Sequence, residues 1–376
     1  MNQDQESILD KIISTQQVSH REHFRPQAVL TELLQGLGER ERQVLARRFG
    51  FSGSESETLE SIGNSFQVTR ERIRQIQRLA VQKIVQGKRA QELLRPIRQV
   101  VVEVLEGESG AATSEKLGHL LQESGDGASL NVINFYLSEI LTDVVASLGG
   151  EETEFILGWR LRNASLEAIT NIINHAQDFI STKGHPISED ELVRELARAN
   201  LPSPLGGSLN DGRLAVGLLE LSVNVRSNTF GEWGLTHWQT VSPKRMNDKI
   251  YLVLKKHGKP LHFREITKLV NEQKFDHKMA YPPTVHNELI MDKKYVLVGR
   301  GIYALKEWGF NPGVVADILV EILKTKGPLD RSQIVEDILK QRLVKKGTIH
   351  LALTNKQKFQ RLPDGRYTLA TPNNQT

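Results

Sequence analysis

The most informative stretch of the chain lies at residues 58–76 and reads TLESIGNSFQVTRERIRQI. Its apolar residues recur at steps of mostly three and four positions, which is the spacing of amphipathic helices. Thr69 precedes the second apolar series and is a residue type that caps helices. The pattern predicts a short helix from Leu59 to Ser65, a turn, and a longer helix that begins after Thr69 and extends to about Gln86.

The longer helix has two chemically different faces. One face is apolar and consists of Ile73, Ile76, Ala80 and Ile84. The other is basic and polar and consists of Arg70, Glu71, Arg74, Gln75 and Arg78. Such side chains suit a major groove, because Arg binds guanine, Gln binds adenine and Glu accepts from cytosine. An ordinary amphipathic helix with a solvated charged face fits the same spacing, so periodicity alone leaves both interpretations open.

The residues that precede this segment extend the pattern. They include Leu33, Leu34, Leu37, Arg40, Glu41, Val44, Leu45, Arg48, Phe49 and Gly50. Together with residues 58–76 they closely resemble region 4 of bacterial primary-type sigma factors, over about residues 30–86. The resemblance implies a helix-turn-helix domain that reads the −35 promoter element in double-stranded DNA and docks on the flap of the RNA polymerase β subunit.

The resemblance also implies which residues contact DNA. Those on base- and backbone-contacting positions of the recognition helix are Arg70, Glu71, Arg74 and Gln75. Those on positions next to phosphate are Arg40, Arg48, Leu59 and the cap Thr69. The chain departs from the family at Gln77, where primary sigma factors usually carry Glu, and at Arg78-Leu79, which replaces a small residue and Lys. Residues 1–29, a polar N-terminal segment, do not resemble the long helical region that binds the −10 element, so we do not expect a complete initiation factor.

Beyond residue 97 the chain repeats itself with a period of about 70 residues. Each repeat ends in a glycine and an aromatic within a predicted strand, at residues 158–161, 231–235, 301–305 and 365–369. Apolar helices and a polar helix start precede each of these strands. The predicted order of three helices and a hairpin is that of a winged helix, and the predicted fold is mainly α, with a region-4-like head followed by four tandem winged-helix units.

The predicted domains are residues 30–90, 97–163, 165–240, 246–310 and 312–371, after the segment 1–29. The unit at 246–310 resembles the HARE-type helix-turn-helix and the N-terminal domain of the RNA polymerase delta subunit. Pro260-Leu261, Phe263, Glu265-Ile266 and residues 301–305 carry this resemblance.

Charge alternates along the chain. Residues 36–96 hold 12 basic and 7 acidic residues, residues 97–163 hold 4 and 11, and residues 245–376 hold 24 and 13. The basic blocks are candidate surfaces for a polyanion. The acidic unit is expected to act as a spacer, to dock on protein, or to shield a basic neighbour.

The sequence lacks the signals of several other protein classes. With no cysteine, disulfides, cysteine-based zinc sites and cysteine nucleophiles are excluded. The N-terminus lacks the order of a signal peptide, and no run of about 18 apolar residues predicts a membrane span. We find no catalytic motif, so we expect no enzyme activity, cofactor, metal or small-molecule substrate, and we expect a cytoplasmic, nucleoid-associated protein.

The leading hypothesis is a sequence-specific, sigma-factor-like transcription regulator that binds −35-like DNA and RNA polymerase without catalysing a reaction. One alternative is an interaction protein that occupies the polymerase flap without reading sequence. Another is a DNA-recognition module of a defence or chromosome-organising system, because HARE-type domains also accompany restriction enzymes.

Overall fold

The computed structural model describes residues 24–51, 53, 55–150, 153–311 and 313–370. The predicted segment 1–29 therefore lies outside the described residues up to position 23. The described chain is mainly helical and forms two compact units, one made of residues 24–227 and 231–236, the other of 228–230 and 237–370. Among the described residues, no helix is both long and apolar enough to cross a membrane.

The first unit begins with four helices, which we call the head (residues 24–86). They are α1 (Pro26–Gln35), α2 (Glu39–Phe49), α3 (Leu59–Ser65) and α4 (Arg70–Gln86). Gly50 ends α2 in a left-handed conformation, with φ of 66°, which glycine adopts without steric cost. The predicted short and long helices after residue 58 are confirmed by α3 and α4.

The rest of the first unit contains two repeats of one element order, helix, strand, helix, helix, strand, strand. The first repeat comprises α5 (Lys88–Gly107), β1 (Ala111–Thr113), α6 (Ser114–Glu123), α7 (Leu130–Phe135) with a π-helical turn (Tyr136–Ile140), β2 (Val145–Leu148) and β3 (Gly158–Leu161). The second comprises α8 (Leu166–Lys183), β4 (Ile187–Ser188), α9 (Glu189–Arg198), α10 (Gly212–Leu219), β5 (Val225–Ser227) and β6 (Glu232–Leu235).

The second unit contains two more repeats. The third comprises α11 (Met246–His257), β7 (Leu261–His262), α12 (Phe263–Glu272), α13 (Pro282–Met291), β8 (Tyr295–Gly299) and β9 (Ile302–Leu305). The fourth comprises α14 (Val315–Lys326), α15 (Arg331–Gln341), α16 (Lys346–Leu353), β10 (Phe359–Arg361) and β11 (Tyr367–Leu369). In place of a first strand, the fourth repeat has an isolated bridge between Leu329 and Tyr367.

All four repeats place the last strand in the middle of a small antiparallel sheet. The strand orders are β1-β3-β2, β4-β6-β5 and β7-β9-β8, and β11 of the fourth repeat pairs with β10 and with Leu329. The aromatic residue of the last strand is buried in the second and third repeats, at Trp233 and Tyr303, and half-buried in the other two, at Trp159 and Tyr367. These side chains pack each hairpin against the helices of its own repeat.

The head shares one hydrophobic core with the first repeat. Leu45, Ala80 and Ile84 of the head belong to the same buried cluster as Phe135 and Tyr136 of the first repeat. The helix α5 runs without interruption through residues 90–97, the interval between the head and the next predicted domain. The head is therefore part of a larger packed body.

Polar contacts join the head to the first repeat as well. Asp126 accepts hydrogen bonds from the backbone N–H groups of Gln27 and Ala28, at 3.2 and 3.0 Å, and so caps the start of α1. The buried Tyr136 hydroxyl donates to the carbonyl oxygen of Pro26 at 2.9 Å. The side-chain amide of Asn131 donates to the carbonyl oxygen of Gly50 at 3.2 Å. Acidic and polar residues of the first repeat thus contact the head.

A buried arginine joins the third and fourth repeats. Arg342 is only 3% exposed, and its guanidinium donates to the backbone oxygens of Leu297, Asn311 and Gly313. Burial lowers the pKa of this guanidinium below its ordinary value. Arg342 belongs to the fourth repeat, and these carbonyl groups lie in the third repeat and in the segment that connects the two. The second unit is therefore stabilised by a buried charged group as well as by apolar packing.

Candidate nucleic-acid interface

The turn between α3 and α4 is closely packed. The backbone N–H of Val68 donates to the carbonyl oxygen of Gly63 at 3.0 Å, and Gln67 adopts a positive φ of 55°. A Cβ atom at Gly63 would lie 2.8 Å from the carbonyl oxygen of Val68, so glycine permits this approach. The hydroxyl of Thr69 accepts from the N–H of Arg72 at 3.2 Å, as predicted for a helix cap.

A small core fixes the angle between these two helices. Its buried members are Val44, Ile62, Ile73 and Ile76, against which Leu59, Phe66 and Val68 pack. Leu59, one of the predicted DNA-contacting residues, is half-buried here at the first position of α3. The first turn of a helix presents free backbone N–H groups, which suit a phosphate.

The outward face of α4 is open to solvent. Arg70, Glu71, Arg74 and Gln75 are all exposed and follow the cap directly. Arg74 donates two hydrogen bonds of 2.7 Å to the Glu71 carboxylate. These bonds, together with the charges of Arg74 and Arg70, hold the pKa of Glu71 below its ordinary value. The helix therefore carries exposed guanidinium, carboxylate and amide groups close together, which are the groups that read base edges, and Arg74 and Glu71 are paired with each other.

The two predicted phosphate contacts on α2 lie in different surroundings. The guanidinium of Arg40, an exposed residue, lies 5.3 Å from the ring centre of Phe66. Arg48 is half-buried and donates to the carbonyl oxygen of Glu57 at 2.9 Å. Arg48 is thus already engaged within the protein.

Sequence reasoning missed a charged clamp across the helix-turn-helix. Arg47 donates to both carboxylate oxygens of Glu57, at 2.7 and 2.6 Å, and to the hydroxyl of Ser65 at 2.6 Å. Ser61 donates to the same carboxylate at 3.0 Å. The clamp joins α2 to both ends of α3. It could not be predicted from helical periodicity, because periodicity relates residues within one helix and a loop separates these residues.

The recognition helix also touches the first repeat through Gln77. The Gln77 side chain hydrogen-bonds to the carboxyl of Glu139 in the π-helical turn, and Arg48 contributes a favourable charge interaction. Burial nevertheless raises the pKa of Glu139 above its ordinary value of 4.5. Glutamate at position 77 would bring a second carboxylate here, which gives a physical reason for the departure from the sigma-factor pattern.

We expect Gln77→Glu to lower the free energy of unfolding at neutral pH by about 1 kcal/mol, because two carboxylates then face each other. Because the folded-state pKa of Glu139 is raised, the protonated carboxyl favours the folded state. This contribution to the free energy of unfolding is complete below pH 4.5 and is lost as the pH rises through the folded-state pKa. The deficit of the variant should therefore shrink on acidification. Urea unfolding across a pH series measures it.

The matched control is Gln77→Glu combined with Glu139→Gln, which restores one carboxylate and one amide. The double variant should regain the stability lost by the single variant. A double variant as unstable as Gln77→Glu would show that the two side chains do not interact.

Comparison with known proteins agrees with the geometry of the head. Residues 33–85 match the family described as Sigma-70, region 4. The RNA polymerase sigma factor SigA of Lactococcus lactis subsp. cremoris is 44% identical over 64 residues, which is 17% of this chain and 18% of that protein. RpoD of Neisseria gonorrhoeae is 45% identical over 65 residues, 17% of this chain and 10% of that sigma factor. SigA of a Bacillus species is 45% identical over 64 residues, 17% of each protein.

These comparisons confirm the predicted region-4 domain. The chain covers less than a fifth of the length of these relatives. The likeness therefore concerns the head, whose residues 33–85 match the sigma-70 region 4 family.

Proposed function

Because residues 33–85 form a sigma-70 region 4 domain, we propose that the chain is a transcription regulator that binds −35-like promoter DNA and associates with RNA polymerase. The exposed polar face of α4 carries this proposal. Arg70, Glu71, Arg74 and Gln75 follow an N-capped helix start and lie outside the apolar core of the head. Helix α4 would enter the major groove with these side chains toward the base edges.

Phosphate contacts would set the register of the head on the duplex. The start of α3 and the cap Thr69 offer backbone N–H groups, and Arg40 offers an exposed guanidinium. Arg48 would have to exchange its bond to the Glu57 carbonyl for a phosphate oxygen. We also propose that the head docks on the flap of the RNA polymerase β subunit. The proposed location is the cytoplasm, at the nucleoid.

We further propose that the four repeats are winged-helix units, with domain limits at 97–163, 165–240, 246–310 and 312–371. Three observations support this: the element order, the central last strand of each sheet, and the aromatic residue in that strand. The HARE-type resemblance of the third unit remains part of the same proposal. In this proposal the region-4-like domain spans residues 30–90, and α5 joins it to its neighbour.

We expect Arg70→Ala to weaken binding to a −35-like duplex by roughly 1–3 kcal/mol and to leave binding to a scrambled duplex nearly unchanged. The reason is that a base-reading arginine contributes to the preferred sequence, whereas phosphate contacts act on both duplexes. Fluorescence anisotropy of the full chain with both duplexes across a salt series measures the two contributions.

Arg95→Ala is the matched control, because Arg95 is exposed on α5, outside the helix-turn-helix. It should retain the preference of the native chain. Equal binding of the native chain to both duplexes would refute sequence reading. Flap binding that survives Gln75→Ala would then favour the interaction protein that occupies the flap without reading DNA.

A further inference from the structure

We propose that the fourth repeat carries a second nucleic-acid site, a basic groove that holds the phosphate backbone of double-stranded DNA. The groove has a volume of about 1200 Å³ and lies between the start of α15, the helix α16 and the hairpin of β10 and β11. It is formed entirely by residues within 331–370 and shares no residue with α4. The proposal therefore does not depend on how the head binds DNA.

The groove is lined by cationic side chains that have no carboxylate partner among the described residues. Arg331, Lys356 and Arg361 are exposed, and none of them forms an ion pair with a described residue. Outside the groove, by contrast, Lys340 pairs with Glu336 at 2.8 Å. The unpaired cations leave their charge available to an incoming anion.

The charge of the surrounding segment reinforces this field. Residues 342–370 contain seven lysine and arginine residues and a single acidic residue; of the seven, Arg342 is buried, Lys358 pairs with Asp317 and Arg366 pairs with Asp364. No acidic residue is present among the described residues that line the groove. A groove lined by one sign of charge attracts a polyanion and releases its counterions on binding.

The remaining side chains of the groove suit a nucleic-acid backbone. Gln357, Gln360 and Tyr367 supply neutral hydrogen-bond donors of the kinds that contact phosphate and sugar oxygens. Leu351, which is 72% exposed on α16, can contact a sugar or a thymine methyl group. The groove is open to solvent, which fits an extended polymer better than a small molecule that needs enclosure.

The test compares two double variants of the full chain on a scrambled duplex of about 30 base pairs, between about 50 and 200 mM NaCl. Lys356→Gln with Arg361→Gln removes two charges inside the groove, and Lys324→Gln with Lys340→Gln removes two from exposed positions outside it. The groove variant should reduce the slope of log affinity against log salt by about two, and the control by a few tenths at most. Equal effects of the two variants, or no effect of the groove variant, would overturn the proposal.

A second measurement locates the contact and separates DNA from an acidic protein surface. Lysine acetylation followed by mass spectrometry should show Lys356 protected by the duplex and Lys340 as reactive as in the free chain. Polyglutamate at the same concentration of charge should protect Lys356 less than the duplex does. Stronger protection by polyglutamate would assign the groove to an acidic protein partner, and an unprotected Lys356 would show that DNA does not bind there.

Discussion

Phe135→Ala is expected to lower the free energy of unfolding of the first unit by about 3–5 kcal/mol. The Phe135 ring is fully buried, and its centre lies 4.8 Å from the ring centre of Phe49 and 5.0 Å from that of Phe51. Its removal leaves a cavity between the head and the first repeat, because both contribute to one core. Amide hydrogen exchange should therefore show α2 and α7 losing protection together, as one cooperative body.

Phe359→Ala is the matched control for this variant. Phe359 is also buried, but it lies in the core of the fourth repeat. It should destabilise that repeat and leave hydrogen exchange in α2 and α7 unchanged. If Phe135→Ala reduced protection in α7 but left α2 as protected as before, the head would fold independently of the first repeat.

The helix-turn-helix itself was predictable because its determinants are local. The apolar spacing of Ile73, Ile76 and Ala80 gives the buried side of α4, and Thr69 marks its start. α3 and α4 occupy the ranges that the sequence predicts. The resemblance then indicated which exposed residues contact DNA. Spacing alone could not distinguish a DNA-reading face from an ordinary solvated helix face.

The contacts that support the interface were not predictable from the same signals. Gln77 contacts Glu139, and the rings of Phe49 and Phe51 each contact the ring of Phe135. These pairs are more than 60 residues apart in sequence, and periodicity carries information only within one element. The tertiary structure is needed to see that the head shares a core with the first repeat. It is needed equally to see the clamp between Arg47 and Glu57.

The repeats show the same division between local and tertiary information. The glycine and aromatic pairs mark β3, β6, β9 and β11, since glycine is typical of turns and aromatic residues are typical of strands. The pairing of Leu329 with Tyr367 as an isolated bridge, where the other repeats have a strand, depends on how the hairpin meets the helices. The groove of the fourth repeat is likewise a product of three elements that meet only in the fold.

Gly63→Ala is expected to damage DNA binding more than its small size suggests. The added methyl group would lie 2.8 Å from the carbonyl oxygen of Val68 and 3.4 Å from the N–H nitrogen of Arg70. Both are backbone atoms, so relief requires α3 to move away from the start of α4. We expect a loss of about 1–3 kcal/mol in the free energy of unfolding and a loss of about tenfold or more in affinity for the −35-like duplex.

Gly107→Ala separates this effect from the general effect of replacing glycine. Gly107 ends α5, and a Cβ atom there would meet no atom within 4 Å. The control should keep or slightly raise stability, since alanine favours the helix, and it should bind DNA as the native chain does. Native affinity in a folded Gly63→Ala variant would mean that the spacing of α3 and α4 does not limit DNA binding. A selective loss of affinity would instead show that the close approach at Gly63 positions Arg70 and its neighbours for the groove.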